Sequence, residues 1–165
     1  CSVALSPGVT LALKQADIII YSAGTQHSSL YPTYMASGFA STIADNHSAY
    51  KALIINIGAD YETPSYTASD YINGALRYLN LSSGRKIASE YLVDTLLVNS
   101  NPKCNRDYVL FDEAGFQNVN AQVVLDDFED KNEDGKHDGV RLVNSIFKNY
   151  TADFLSRQKN QYGKR

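Results

Sequence analysis

The stretch that most constrains the fold is residues 16–32, which read ADIIIYSAGTQHSSLYP. Residues 16–21 include three consecutive isoleucines and are too few for a helix, so they predict a buried strand. Small and polar residues around Gly24 follow, and Pro32 closes the stretch. Open α/β sheets bind ligands in loops of this kind, and glycine lets the backbone approach a ligand closely. An ordinary strand-to-helix turn with Ser or Thr capping is the alternative interpretation.

The length and composition are those of one globular domain. The chain has 165 residues, of which 44% are apolar and 20% are charged, and it is long enough to bury a core. The net charge of −3 and the pI of about 5.5 argue against a nucleic-acid partner or an acidic membrane surface. No apolar run reaches the roughly 18 residues that a membrane span needs. Cys1 and Cys104 are too few for a disulfide framework, so we expect reduced thiols and a cytoplasmic location.

Apolar runs alternate with helical patterns along the chain. This alternation predicts a three-layer α/β, Rossmann-like fold with a mostly parallel sheet. We expect a single domain over residues 1–155 and a polar, frayed tail over residues 156–165. The predicted strands are 17–21, 52–57, 91–98 and 123–125, and the predicted helices are 7–15, 34–49, 67–79, 108–114 and about 140–154.

Two polar loops follow the first two predicted strands, and parallel strands end on the same edge of a sheet. A helix starting just after the first loop would favour an anion such as phosphate at its N-terminus. Hydroxyls, an amide and two acids around a glycine suit a phosphorylated, sugar-bearing ligand, and the acids can hold magnesium through water. The alternative roles are a helix cap for Asp70 and an exposed loop charge for Glu62. The candidate ligand-binding residues are Gly24, Thr25, Ser28, Ser29, Asn56, Glu62, Thr63, Ser69 and Asp70.

Other catalytic and metal-binding patterns are weak. His27, His47 and His137 have no zinc-ligand spacing, and no Gly-x-Ser-x-Gly elbow supports a Ser-His-Asp triad. Residues 130–138 match the start of a calcium loop, but the twelfth position is Arg141 where a glutamate is needed. A solvated turn is the favoured interpretation of this segment, and we predict no dedicated metal site.

Four segments resemble the CofD-like family, in the same order and at similar spacing. Residues 16–32 resemble its Ala-Asp strand and the Gly-Pro-Gly-Ser-x-x-Thr-Ser-x-x-Pro loop that follows. Asn56 and residues 62–71, ETPSYTASDY, resemble its strand ending in Asn and its Glu-Thr-x-x-Tyr-x-Ala-Ser-Asp-His motif. Residues 92–99 are similar to its third strand, and residues 133–138 to the turn with Asp-Gly and His-Asp before its last helix.

The resemblance covers about residues 12–150 and only the C-terminal half of the family. The family's N-terminal glycine-rich nucleotide loop and acidic motif have no counterpart. Ser22 stands where the first loop has glycine, Tyr71 stands where the second motif has histidine, and the second loop is one residue shorter.

The family includes 2-phospho-L-lactate transferase and a gluconeogenesis factor that binds UDP-sugars. The resemblance implies a nucleotide-linked phosphoryl or sugar ligand, with Glu62 and Asp70 orienting the ligand or a magnesium ion. Transfer to a deazaflavin acceptor and a non-catalytic interaction module are the alternatives. Because the chain begins at Cys1 and matches half of the family, we expect a fragment that is inert alone. Such a fragment would dock with the other half or self-associate through an exposed strand edge.

Overall fold

Strands and helices alternate along the chain, as the sequence predicts. The computed structural model describes residues 3–100, 108–117 and 119–162, so both cysteines lie outside the described residues. The elements in chain order are α1 (Pro7–Gln15), β1 (Ile18–Tyr21), a π-helical turn (Gln26–Leu30), α2 (Tyr31–Tyr34), α3 (Phe39–Asp45), β2 (Tyr50–Ile54), α4 (Ala68–Ser83), a 3-10 turn (Ser89–Tyr91), β3 (Thr95–Asn99), a second 3-10 turn (Glu113–Phe116), β4 (Gln122–Asp126) and α5 (Gly139–Tyr162).

The strands form one parallel sheet in the order β1-β2-β3-β4. Ile20 of β1 pairs with Ala52 of β2, and Leu53 of β2 pairs with Leu96 of β3. β4 pairs in parallel with β3 along its whole length. The predicted parallel sheet is therefore confirmed, and the carboxyl ends of all four strands lie on one edge.

The sheet carries an apolar core on each face. Leu53 and Leu96 belong to the core that α3 and α4 cover. The neighbouring Leu97 points the other way, into a second core with Leu142 and Ile146 of α5. Because successive side chains of a strand alternate between faces, short apolar runs can fill both cores. Helices on both faces of a parallel sheet confirm the predicted three-layer α/β fold.

Two predicted helices differ from the structure. Residues 34–49 do not form one helix, because α2 ends at Tyr34 and α3 begins at Phe39. Gly38 separates them at φ 88°, a left-handed conformation that glycine adopts without strain. The helix predicted over residues 108–114 is wrong, because Tyr108 forms an antiparallel bridge with Gly58.

α5 extends further than the sequence predicts. It continues to Tyr162 instead of ending near Phe154. Arg157 holds the extra turns, since its guanidinium donates to the backbone oxygen of His47 at 2.7 Å and to Asp94 Oδ1 at 3.2 Å. The prediction of a frayed tail is therefore wrong for residues 156–162. Among the described helices, none combines the length and the apolar character needed to cross a membrane.

Candidate functional site

The side chain of Asn56, after β2, joins the ends of the first two strands by pairing with the backbone of Gly24, after β1. Asn56 Oδ1 accepts from the backbone N–H of Gly24 at 2.9 Å, and Asn56 Nδ2 donates to the backbone oxygen of Gly24 at 3.2 Å. This two-way pairing fixes the glycine loop after β1 against the loop after β2. The structure thus brings together two of the candidate residues that the parallel-sheet rule placed at one edge.

Glu62 makes a second connection between the same two loops. One of its carboxylate oxygens accepts from the backbone N–H groups of His27 at 2.9 Å and Ser28 at 3.1 Å. Desolvation raises the pKa of Glu62, but the hydrogen bonds from Ser28 and His27 outweigh it and hold this pKa below its usual value. Glu62 therefore binds the backbone N–H groups of His27 and Ser28, which the sequence predicted to bind a phosphate. Its carboxylate stabilises the first loop instead of contacting a ligand through these groups.

Three other candidate residues also have partners inside the protein. Thr63 is buried and its hydroxyl lies 3.0 Å from the hydroxyl of Tyr71. Ser69 is buried too, and its backbone N–H donates to Asp112 Oδ1 at 2.9 Å. Asp70 Oδ2 accepts from the backbone N–H of Thr67 at 2.9 Å, which is the helix-capping role considered as its alternative. These contacts fix the start of α4 next to the second loop.

A cleft of about 580 Å3, the strand-end cleft, opens between the two loops and a third segment. Thr25 and Gly24 line it from the first loop, whereas Ser28 and Ser29 are exposed and lie outside its lining. The described lining consists of Ala23, Gly24, Thr25, residues 56–60, Tyr108 and residues 134–137.

The third wall, residues 134–137, is held against the second loop by backbone contacts. The backbone N–H of Gly58 donates to the oxygen of Gly135 at 3.1 Å, and Gly135 has φ 73°. A β-carbon on Gly135 would lie 3.3 Å from the α-carbon of Gly58, so glycine is needed here for both its conformation and its size. Buried Glu129 accepts from the backbone N–H of Gly135 at 2.7 Å and from the Tyr108 hydroxyl at 2.5 Å.

The candidate residues chosen from the sequence did not include this wall. Its signal was present in the Asp134-Gly135-Lys136-His137-Asp138 run, which the family resemblance had marked as a turn. The calcium-like spacing of this segment reflects a turn, in which Asp130 Oδ1 accepts from the backbone N–H of Asn132 at 2.7 Å.

The cleft lining carries both signs of charge. Lys136 is the only lysine or arginine in the described lining, and Asp60 and Asp134 are its acids. Asp60 Oδ1 accepts from the backbone N–H of Glu62 at 3.1 Å, while its Oδ2 is buried without a hydrogen-bond partner among the described residues. Within the described ranges, no three His, Cys, Asp or Glu side chains cluster as metal ligands. A magnesium ion here would therefore take most of its ligands from phosphate oxygens and water.

His137 anchors the third wall to the end of β2. Its Nε2 lies 3.0 Å from the backbone oxygen of Ile55. Burial lowers the pKa of His137, and the hydrogen bond to the Ile55 carbonyl only partly opposes this shift. The folded protein therefore favours a neutral imidazole that donates from Nε2 to the carbonyl.

The stability of the chain should depend on pH through His137. Since its pKa is lower in the folded than in the unfolded chain, acidification protonates the unfolded chain first. The stabilisation is complete above the unfolded value of about 6.5 and is lost as the pH falls through the folded pKa. Urea unfolding between about pH 8 and pH 5.5 should show a larger loss for the wild type than for His137→Gln. Carboxylates titrate in both proteins, so equal losses would contradict the assignment to His137.

The fold and the cleft define a class of proteins, namely parallel α/β domains with a ligand-sized cleft at the carboxyl ends of the strands. The sequence model of the family described as 2-phospho-L-lactate transferase CofD matches residues 2–145. The chain belongs to the CofD family, as the resemblance predicts.

Proteins of two bacteria are among those similar to this chain. A Thermotoga maritima protein named "Putative gluconeogenesis factor" is 29% identical over 156 residues, covering 85% of this chain and 46% of the relative. Two crystal structures of a Bacillus halodurans protein, one described as a UPF0052 family member, superpose with TM-scores of 0.74 and 0.72 at 20% identity. They cover 87% of this chain and 47% and 46% of those chains. The chain thus spans about half the length of these relatives, and the superpositions establish the shared fold.

Proposed function

We propose that the chain binds a nucleotide-linked phosphoryl or sugar ligand, of the UDP-sugar kind, in the strand-end cleft. The observation that carries this proposal is the pairing of Asn56 with Gly24, which fixes a glycine loop beside the open volume. Sites of this kind bind ligands at the carboxyl ends of parallel strands because backbone groups and small side chains converge there.

The lining offers suitable partners for such a ligand. The Thr25 hydroxyl and the Lys136 ammonium group are donors for phosphate oxygens. The carboxylates of Asp60 and Asp134 would repel a phosphate. A magnesium ion held by one or both of them and by the phosphate would offset this repulsion. Asn56 and Glu62 would act by positioning the first loop.

Replacing the cleft cation tests the proposal. Lys136→Ala should raise the dissociation constant for a bound UDP-sugar about 10- to 150-fold, because a charge-assisted hydrogen bond contributes about 1.5–3 kcal/mol. Lys131→Ala is the matched control, since Lys131 lies on the same turn but outside the cleft lining. NMR titration with UDP- and GDP-linked ligands suits the weak affinity expected of a chain about half as long as its relatives. If no ligand of the panel shifts signals from cleft residues, the proposal fails and the interaction module is favoured.

Two further measurements define the site. Ser28→Ala combined with Ser29→Ala should reduce affinity if the wider loop contacts the ligand, and unchanged affinity would confine the site to the cleft.

The description of the matching family favours a transferase as the second candidate function. Magnesium-dependent release of a nucleoside monophosphate from a nucleotidyl-phospholactate donor would support that activity, whereas binding without turnover would support a sensor.

A further inference from the structure

β4 is an edge strand, and the backbone groups on its outer side are unpaired among the described residues. In its parallel ladder with β3, the backbone N–H of Gln122 donates to the oxygen of Asp94 at 2.9 Å. Because every second residue of a strand faces the same neighbour, Val123 and Leu125 direct their N–H and C=O groups away from β3. Two donors and two acceptors in this arrangement are a template for pairing with a further strand.

The face of β4 that belongs to the core under α3 and α4 carries an apolar groove. Val123 packs against this core together with Phe111, Phe116 and Val119. These four residues and Leu125 line a groove of about 810 Å3, the apolar groove. Leu125 is 46% exposed there. A strand added to the edge would place the side chains opposite Val123 and Leu125 in this groove.

The other face of β4, towards α5, carries a groove of different chemistry. Val124 belongs to this face, because it packs against the second core. Asn144 and Lys148 of α5 line a groove of about 730 Å3 beside it, the polar groove. The acids of its described lining, Asp126 and Asp127, lie at the carboxyl end of β4. A residue between two apolar residues of an added strand would point into this groove.

The positions along α5 place a free positive charge near the middle of β4. Arg141 donates to Asp127 Oδ2 at 2.7 Å, and Arg157 lies near the start of β3, so α5 runs back along the strands. Lys148 follows Arg141 by seven residues, which is about 10 Å of helix or about three residues of strand. It therefore lies about level with Val124. Within the described part of the chain, Lys148 forms no ion pair.

We propose that β4 binds an extended peptide segment of a partner protein, which joins the described sheet as an antiparallel edge strand. The segment carries apolar residues opposite Val123 and Leu125 and an acidic residue between them, whose carboxylate pairs with Lys148. Backbone hydrogen bonds supply the affinity of such added strands, and grooves for alternate side chains supply the specificity. Antiparallel pairing is slightly more stable per residue than parallel pairing. The surface lies outside the strand-end cleft, so it does not depend on the nucleotide-linked ligand.

A designed peptide tests the backbone pairing. The probe is a fluorescein-labelled, C-terminally amidated peptide Thr-Val-Glu-Val-Thr, titrated with the 165-residue chain and followed by fluorescence anisotropy. Saturable binding is expected. N-methylation of both valines removes the two N–H groups that face β4 and should raise the dissociation constant at least about tenfold. N-methylation of the glutamate, whose N–H faces away, should change it less than about twofold. Equal binding of the two methylated peptides would overturn the proposal.

Leu125→Pro makes the corresponding change in the protein. Proline has no N–H, and edge strands accept it where the N–H faces solvent. Leu125→Pro should therefore abolish binding of the probe and leave the circular dichroism spectrum unchanged. Because the methylated peptides are titrated with the unaltered chain, their result stands even where this variant does not fold.

The acidic residue is tested by a charge pair across the interface. Lys148→Ala should raise the dissociation constant of the probe about two- to fivefold, as expected for an exposed ion pair. It should have no effect on the peptide in which glutamine replaces glutamate. Lys159→Ala is the matched control, since Lys159 belongs to the same helix but lies outside the polar groove. An equal effect of Lys148→Ala on both peptides would contradict the pairing.

Two other results would overturn the proposal as a whole. One is the absence of saturable binding, or binding that persists in Leu125→Pro. The other is a dimer in sedimentation equilibrium that Leu125→Pro dissociates and the probe does not, because a second copy would then occupy the edge.

Discussion

Asn56→Leu is expected to lower the free energy of unfolding by about 1–3 kcal/mol and to abolish ligand binding in the strand-end cleft. Leucine is similar in size to asparagine but leaves the backbone N–H of Gly24 without its partner, whereas the Gly24 oxygen keeps its hydrogen bond from Gln26 Nε2 at 2.9 Å. An unpaired group in a partly buried site costs about 1–3 kcal/mol. Urea unfolding gives the stability change, and the titration that tests the UDP-sugar ligand gives the binding change.

Thr25→Val is the control for this result. Thr25 lines the same cleft, and valine has nearly the same shape as threonine. This substitution should change stability by less than about 1 kcal/mol and should lower affinity only. If Asn56→Leu proves as stable as the wild type, the Gly24 pairing does not position the loop.

Gly74→Ala is expected to lower the free energy of unfolding by about 1–3 kcal/mol. Helix propensity alone predicts the opposite, since alanine stabilises a helix interior by about 1 kcal/mol relative to glycine. A β-carbon on Gly74 would overlap the hydroxyl oxygen of Tyr31 and lie 3.1 Å from its Cζ. Tyr31 is buried and stacks on Tyr78 with ring centroids 4.0 Å apart, so it has little room to move. Urea unfolding measures the change.

Two further variants separate the clash from the helix propensity. Gly8→Ala in α1 should stabilise the chain by up to about 1 kcal/mol, because no atom lies within 4 Å of its new β-carbon. The Tyr31 hydroxyl has no hydrogen-bond partner among the described residues, so Tyr31→Phe should cost little. Combined with Gly74→Ala, Tyr31→Phe should also recover most of the free energy of unfolding that Gly74→Ala removes. A Gly74→Ala variant as stable as Gly8→Ala, or no recovery in the double variant, would contradict the clash.

The sequence predicts the sheet well because its strands are short and apolar. The apolar runs at 16–21 and 52–57 favour strands, and the structure has β1 and β2 within two residues of the predicted starts. The prediction of a buried strand is wrong for one face of β1, because β1 lies at the edge of the sheet and Ile20 is 49% exposed. Residues 108–114 were misassigned because their apolar residues pack through a long-range bridge to Gly58. Local periodicity carries no information on such a contact.

The position of the candidate site was predictable from the sequence, but the role of each residue in it was not. The rule that parallel strand ends share an edge brings Gly24 and Asn56 together, as observed. Residue type could not reveal that the Glu62 carboxylate would bind backbone N–H groups of the first loop. The wall around Gly135 was not included because it reaches the cleft only through the packing of the turn after β4.

The backbone contact between Gly58 and Gly135 would affect how the proposed ligand enters the strand-end cleft. The walls on either side are joined by main-chain hydrogen bonds, from Gly58 to Gly135 at 3.1 Å and from Val109 to Ile57 at 2.8 Å. A cleft in which the second loop and the third wall are joined in this way is preorganised on that side, so less conformational entropy would be lost there on binding. The selectivity of the cleft would then depend on which molecules fit its existing shape. The association rate would depend on diffusion of the ligand into the cleft.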